Sequence, residues 1–157
     1  MRRVVTDDKW LKVLDPDSPP WMVAMQRELV DAYVAGDLGW VLDHTHPDIE
    51  IVQPPEFPDA RTYRGLEGLV DAFLDWPNEW EDSEVEPTRI HALDDELVIV
   101  EAIHRGRSKT MGIDIEAEIV WLYRLEDGRT RRWEMFMSRE AALRAARSAP
   151  SDGPADS

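Results

Sequence analysis

From Ile113 to Leu125 the chain alternates: Ile113, Ile115, Ala117, Ile119, Trp121, Tyr123 and Leu125 are apolar, while Asp114, Glu116, Glu118 and Arg124 occupy the other phase. A period of two puts each set on its own face of an extended chain, so 113–125 is predicted as a long strand with one buried face. ELVIVEAIHR at 96–105 is a second strand, with Val98, Val100, Ala102 and His104 in phase, and TRRWEMFM at 130–137 is a third, with Trp133, Met135 and Met137 on one face. EDGR at 126–129 joins two of them as a hairpin turn, with Gly128 placed for a positive backbone dihedral. Residues 84–91 are a further, less regular strand. DIEIVQPP at 48–55 puts Ile49, Ile51 and Gln53 on one face and ends at prolines that a central ladder does not tolerate.

Elsewhere the period is helical. Met22, Met25, Leu29 and Tyr33 form a stripe in WMVAMQRELVDAYV, which Gly36 ends, and Asp37 can cap a short second helix carrying Leu38, Val41 and Leu42. Leu66, Leu69, Val70, Phe73 and Leu74 make the buried face of a helix over 66–76, with Gly65 at its start and Pro77 just beyond its end. Tyr63 and Arg64 anchor the turn before it. REAALRAA at 139–146 is the last helix. The pattern is α+β: helices first, then antiparallel strands, then a helix. A strongly twisted sheet with its helices on one side would leave a conical space, which the 66–76 helix would help to close. Residues 1–20 read as an N-terminal arm, 21–147 as one domain, and the Ser/Pro/Gly/Ala/Asp-rich 148–157 as a flexible tail.

Composition limits the partners. A chain of 157 residues that is 43% hydrophobic can bury one core, and without cysteine it has no disulfide, thiol nucleophile or cysteine metal cluster. The net charge of −15 repels a phosphate backbone and an anionic membrane surface, so neither nucleic acid nor membrane is expected as a partner. The N-terminal sequence lacks the apolar core of a signal peptide, and no run reaches membrane-span length, so a cytoplasmic location is expected. EWEDSEVE at 79–86, the densest acidic stretch, reads as a solvated face.

Few side chains suggest chemistry. His104 is in phase with the apolar face of its strand and titrates near neutral pH, so it is the candidate acid or base; its alternative is a structural histidine at a sheet edge. Gln53 could hold a ligand oxygen or a backbone group near the prolines. Trp121, Tyr123 and Trp133 on neighbouring strands could surround a flat or apolar small molecule, or could be ordinary core. His44, His46 and Asp48 have ligand chemistry, but His44 lies near a helix end and no distant third ligand is signalled, so no metal is expected. His91 reads as a turn residue, and Glu134 pairs with Arg132. No phosphate loop, nucleophile elbow or dinucleotide fingerprint is present, and no cofactor is expected.

The phrases DAYVAGDL, YRGLEGLVDAF, LYRLEDGR and MFMSREAAL resemble the SnoaL-like group of the nuclear transport factor 2-like superfamily over about residues 21–146. The resemblance implies a cone-shaped α+β fold: a curved, mostly antiparallel sheet, three to four packed helices and an internal pocket. It also implies a homodimer. That superfamily includes ketosteroid isomerases, polyketide cyclases and limonene epoxide hydrolases. The isomerase positions fall on Leu29, Gln53 and Trp121, which lack the polar groups of that reaction. The epoxide-hydrolase positions fall on Ala102, His104 and Met135, or Glu134 with a one-residue shift, so that triad is incomplete. His104 alone matches the cyclase pair. The resulting expectation is an apolar pocket for a small apolar or aromatic molecule, lined by Leu29, Gln53, Ala102, Trp121, Tyr123, Trp133 and Met135. His104 would serve an isomerase, cyclase or hydrolase reaction; the alternatives are non-catalytic binding, or a dimeric structural protein with a filled cavity.

Overall fold

A computed structural model describes residues 9–35, 37–57 and 60–148. Gly36, residues 1–8 of the expected arm, the tail from 149, and the side chains of Tyr33 and Pro77 lie outside the described set. The elements are α1 (Lys9–Lys12), α2 (Pro20–Ala35), α3 (Leu38–Asp43), β1 (Thr45–Val52), β2 (Thr62–Arg64), α4 (Gly65–Glu79), β3 (Trp80–Asp94), β4 (Leu97–Ser108), β5 (Asp114–Glu126), β6 (Arg129–Phe136) and α5 (Arg139–Ala146).

Local chemistry explains several boundaries. The Asp37 carboxylate accepts from Trp40 N at 3.1 Å, capping α3, and Ser138 Oγ does the same for α5 from Ala141 N at 3.1 Å. Between β5 and β6, Asp127 and Gly128 have φ of 54° and 78°, the paired positive dihedrals of a tight hairpin. Two strand pairings were not anticipated. β2 is a three-residue edge strand in the supposed turn at Tyr63, whose hydroxyl donates to Asp75 Oδ2 at 2.7 Å, tying the strand to α4. The segment after α1 lies along the free edge of β3, where Ile90 N donates to Val13 O and Asp15 N to Ile90 O, at 2.9 and 3.0 Å. Covering that edge satisfies backbone groups that would otherwise stay open to pairing.

The architecture corrects the predicted cone. The six strands form an open sheet in the order β2-β1-β6-β5-β4-β3, with β2 and β3 at its edges. It is a mixed sheet rather than a curved antiparallel roll, because β1 runs parallel to β6 while the other neighbours are antiparallel. Alternation assigns residues to faces but says nothing of strand direction, so the parallel pairing was not readable. The helices are not confined to one side either. On one face Val98, Val100 and Leu125 pack with Met22 and Met25 of α2, and Ile49 and Ile51 pack with Leu66 and Leu69 of α4. On the other, Ile99, Val120 and Leu122 pack under Ala142, Leu143 and Ala146 of α5. On the first face Trp121, Tyr123 and Trp133 are partly buried and pack against these clusters, where the internal pocket was expected.

α5 is fastened at its start by charge. The Arg139 guanidinium donates from Nε and Nη2 to Glu101 at 3.0 and 2.7 Å, and Glu101 is only 4% exposed on β4. Removing the cation would leave a buried carboxylate with weaker compensation. Arg139→Ala is therefore expected to destabilise the fold by about 1–3 kcal/mol. Urea denaturation should show a smaller loss for the same change made in a Glu101→Gln background.

Candidate functional site

The β5–β6 register sets Tyr123 opposite Trp133 and Trp121 opposite Met135. The Tyr123 and Trp133 rings stack with centroids 5.5 Å apart, Trp121 meets Trp133 edge-on at 6.3 Å, and Phe73 of α4 approaches Trp133 at 6.5 Å. Three of the predicted ligand residues are thus brought together, and Phe73, read only as helix core, joins them while remaining 42% exposed. Burial pushes the Tyr123 phenol up, so it stays protonated and able to donate. The indole nitrogens of Trp121 and Trp133 are buried and have no hydrogen-bond partner among the described residues. An unmatched buried donor costs about 1–3 kcal/mol, so an acceptor brought here by a ligand would be favoured.

The other predicted residues are dispersed. Ala102 is fully buried on β4 opposite Ile119, and Leu29 is half-buried on α2. Gln53 Oε1 accepts from Arg61 N at 3.3 Å and Gln53 N donates to Arg61 O at 3.2 Å, so this residue staples the loop that follows β1. Gln53 and Met135 both line an open depression of about 480 Å³ at the rim of the sheet, together with Phe136 and Arg144. His44 stacks on Trp40 at 3.9 Å, while His46 Nε2 lies 3.4 Å from Glu126, so these two histidines face different partners. His91 is not a turn residue: it pairs with Ile99 inside β3, because β3 continues past it to Asp94. Glu134 lies in a ladder of alternating charge, 3.4 Å from both Arg124 and Arg132, with Arg132 also bonded to Glu50.

His104 is 2% exposed and sits between Val85 and Ala117 on the neighbouring strands. Trp80 meets its ring edge-on at 4.6 Å, and Ser83 Oγ lies 3.2 Å from Nε2. Ser83 carried no sequence signal, being one residue in an acidic run whose backbone irregularity no pattern reports.

This mixed sheet, flanked by helices and carrying an aromatic cluster between sheet and α4, is the architecture of the nuclear transport factor 2-like superfamily, related to the ketosteroid isomerase and polyketide cyclase folds. Residues 26–133 match the SnoaL-like domain, and the chain belongs to that family. No curated protein sequence matches it. Among solved structures, it is similar to an NTF2-like protein from Burkholderia xenovorans LB400, with 25% identity over 82% of this chain and 97% of that one, at a TM-score of 0.60. It is also similar to TerC co-crystallised with polyporic acid, with 19% identity, coverage of 83% and 100%, and a TM-score of 0.58. A Catenulispora acidiphila DSM 44928 protein with a ketosteroid isomerase-like fold, in complex with trimethylamine, has 16% identity, coverage of 85% and 99%, and a TM-score of 0.56. No helix among the described residues is long and apolar enough to cross a membrane.

Burial lowers the pKa of His104, and burial with the nearby Arg89 charge lowers that of His91. Both rings therefore stay neutral in the folded chain at a pH where the unfolded chain already takes up protons. Stability from this source is full above an unfolded histidine pKa of about 6.5 and is lost as pH falls below it toward the folded values. Urea midpoints should drop between pH 7.5 and pH 5.5, and His104→Asn should reduce the size of that drop.

Proposed function

We propose that this chain binds a small, flat, largely apolar molecule bearing oxygen acceptors, held against Trp121, Tyr123 and Trp133. The carrying observation is the pair of buried, unpartnered indole N–H groups within one aromatic cluster. Ring faces and edges supply apolar contact area, and the two N–H groups favour a ligand with carbonyl or hydroxyl oxygens over a pure hydrocarbon. Membership of the SnoaL-like family supports small-molecule binding as the class of function. The complex of TerC with polyporic acid makes that compound a rational first probe.

An isomerase, cyclase or hydrolase reaction at this cluster through His104 is the second reading. His104 lies four residues along β4 from Val100, the residue paired with Trp121. That separation is roughly 13 Å along the strand, so a ligand would have to extend over that length to meet both the indoles and His104. A homodimer remains the assembly implied by the family resemblance, and α5 would restrict it to sheet surface outside the Ile99, Val120 and Leu122 patch. Light scattering at twice the 18.1 kDa chain mass would support the dimer, and a persistent monomer would remove it.

Titration of intrinsic fluorescence and calorimetry with polyporic acid and a panel of aryl ketones test the binding reading. Trp121→Phe and Trp133→Phe each keep an aromatic ring but remove one donor, so each should weaken the best ligand about 2- to 10-fold, the net value of one hydrogen bond. Trp40→Phe, on α3, should leave affinity unchanged. Equal affinity in all three variants and the wild type would refute the assignment.

A further inference from the structure

β3 and β4 build a second polar arrangement away from the aromatic cluster. Their register steps from Glu81↔Arg107 to Glu84↔Arg105, so Asp82 and Ser83 together oppose Gly106. This is a β-bulge, and it holds Asp82 at φ 53°, a left-handed conformation that costs a residue with a side chain about 1–2 kcal/mol. Gly106 provides the room: a methyl group there would lie 3.2 Å from His104 Nε2 and 3.5 Å from Ser83 Cα. Bulge and glycine together fold Ser83 over the buried imidazole, with Oγ 3.2 Å from Nε2. Ser83 itself is an exposed residue, while the imidazole beside its hydroxyl is buried. Bulges that re-aim a side chain and residues held in sparsely populated backbone regions both concentrate at functional sites.

We propose that Ser83 and His104 form a nucleophile–base pair that hydrolyses small carboxylic esters. With the proton of the neutral ring on Nδ1, Nε2 accepts the Ser83 hydroxyl proton as Oγ attacks the ester carbonyl carbon. The tetrahedral adduct then collapses, the ester C–O bond breaks, and the alcohol leaves with the proton from Nε2. A water molecule, deprotonated by the same nitrogen, attacks the acyl-serine, breaks the Ser83 ester bond and releases the carboxylic acid, restoring both residues. Burial, with Trp80 edge-on to the ring, lowers the pKa of the imidazole and so favours its neutral form. Glu81, Asp82 and Glu84 flank the serine, but Arg107 and Arg105 stand opposite Glu81 and Glu84 on β4, so the local charge is mixed. This activity does not depend on the aromatic binding site, and failure of either assignment leaves the other standing.

Labelling with a fluorophosphonate probe, read by intact mass and peptide mapping, and turnover of p-nitrophenyl acetate test the pair directly. The full chain should take one adduct, on Ser83. Ser83→Ala should abolish both the adduct and ester turnover, while Ser148→Ala, at another exposed serine, should change neither. His104→Asn should slow labelling and turnover by about 10²- to 10⁴-fold, the usual contribution of a positioned general base. Gly106→Ala, which presses a methyl group between Ser83 and the ring, should slow both without removing either side chain. Should His104→Asn fail to fold, Gly106→Ala and the mapped adduct decide the matter. Absence of an adduct on Ser83, labelling of His104→Asn at the wild-type rate, or unchanged ester turnover in Ser83→Ala would each overturn the proposal.

Discussion

The structure depends on the burial of β4 and β5 on both faces at once. Ile99, Val120 and Leu122 are fully buried on one side of this strand pair, while Ala102 and Ile119 are buried on the other. Each large apolar side chain removed from water contributes about 1.5–3 kcal/mol, so both faces demand a cover. α2 and α4 serve one face and α5 the other. The Glu101–Arg139 pair then ties the Ser138-capped start of α5 to the sheet, because the carboxylate is buried on β4 and the guanidinium stands at the first residue of the helix.

Packing on two sides makes β4 and β5 a rigid frame with different chemistry at its two ends. Toward the β6 hairpin, Tyr123 and Trp121 gather with Trp133 into an aromatic cluster whose indole donors are unmatched. Toward the opposite end, β3 bulges and turns Ser83 onto His104. A flat molecule is suited to the first end, where ring faces and edges meet it. Proton transfer is proposed at the second, where the Ser83 hydroxyl lies 3.2 Å from the buried His104 ring. Strand geometry keeps the two ends apart, which is why they are assigned separate roles.

Much of the secondary structure was legible in the sequence. The alternation of 113–125 and the helical spacing of 66–76 each located an element to within a few residues, and REAALRAA matched α5. The second buried face was less visible, although Val120 and Leu122 interrupt the polar phase of β5 and explain why α5 covers it. The parallel β1–β6 pairing was hidden because residue periodicity carries no direction. The aromatic set was legible, since Trp121, Tyr123 and Trp133 fall on predicted apolar faces, but the approach of Phe73 depends on how α4 is docked. Nothing local marked Ser83. Its position follows from a register shift between two strands, and only the paired structure contains that information.

The central claim is that Trp121 and Trp133 offer their indole N–H groups to a ligand oxygen. The chain has 7 tryptophans, whose indole N–H resonances can be assigned and followed one by one in a ¹⁵N-resolved proton spectrum. Addition of polyporic acid or the tightest aryl ketone should move the Trp121 and Trp133 resonances downfield and protect them from exchange, while that of Trp40 stays in place. Saturating ligand that leaves both resonances unmoved, or that moves only indoles elsewhere in the fold, would contradict the account.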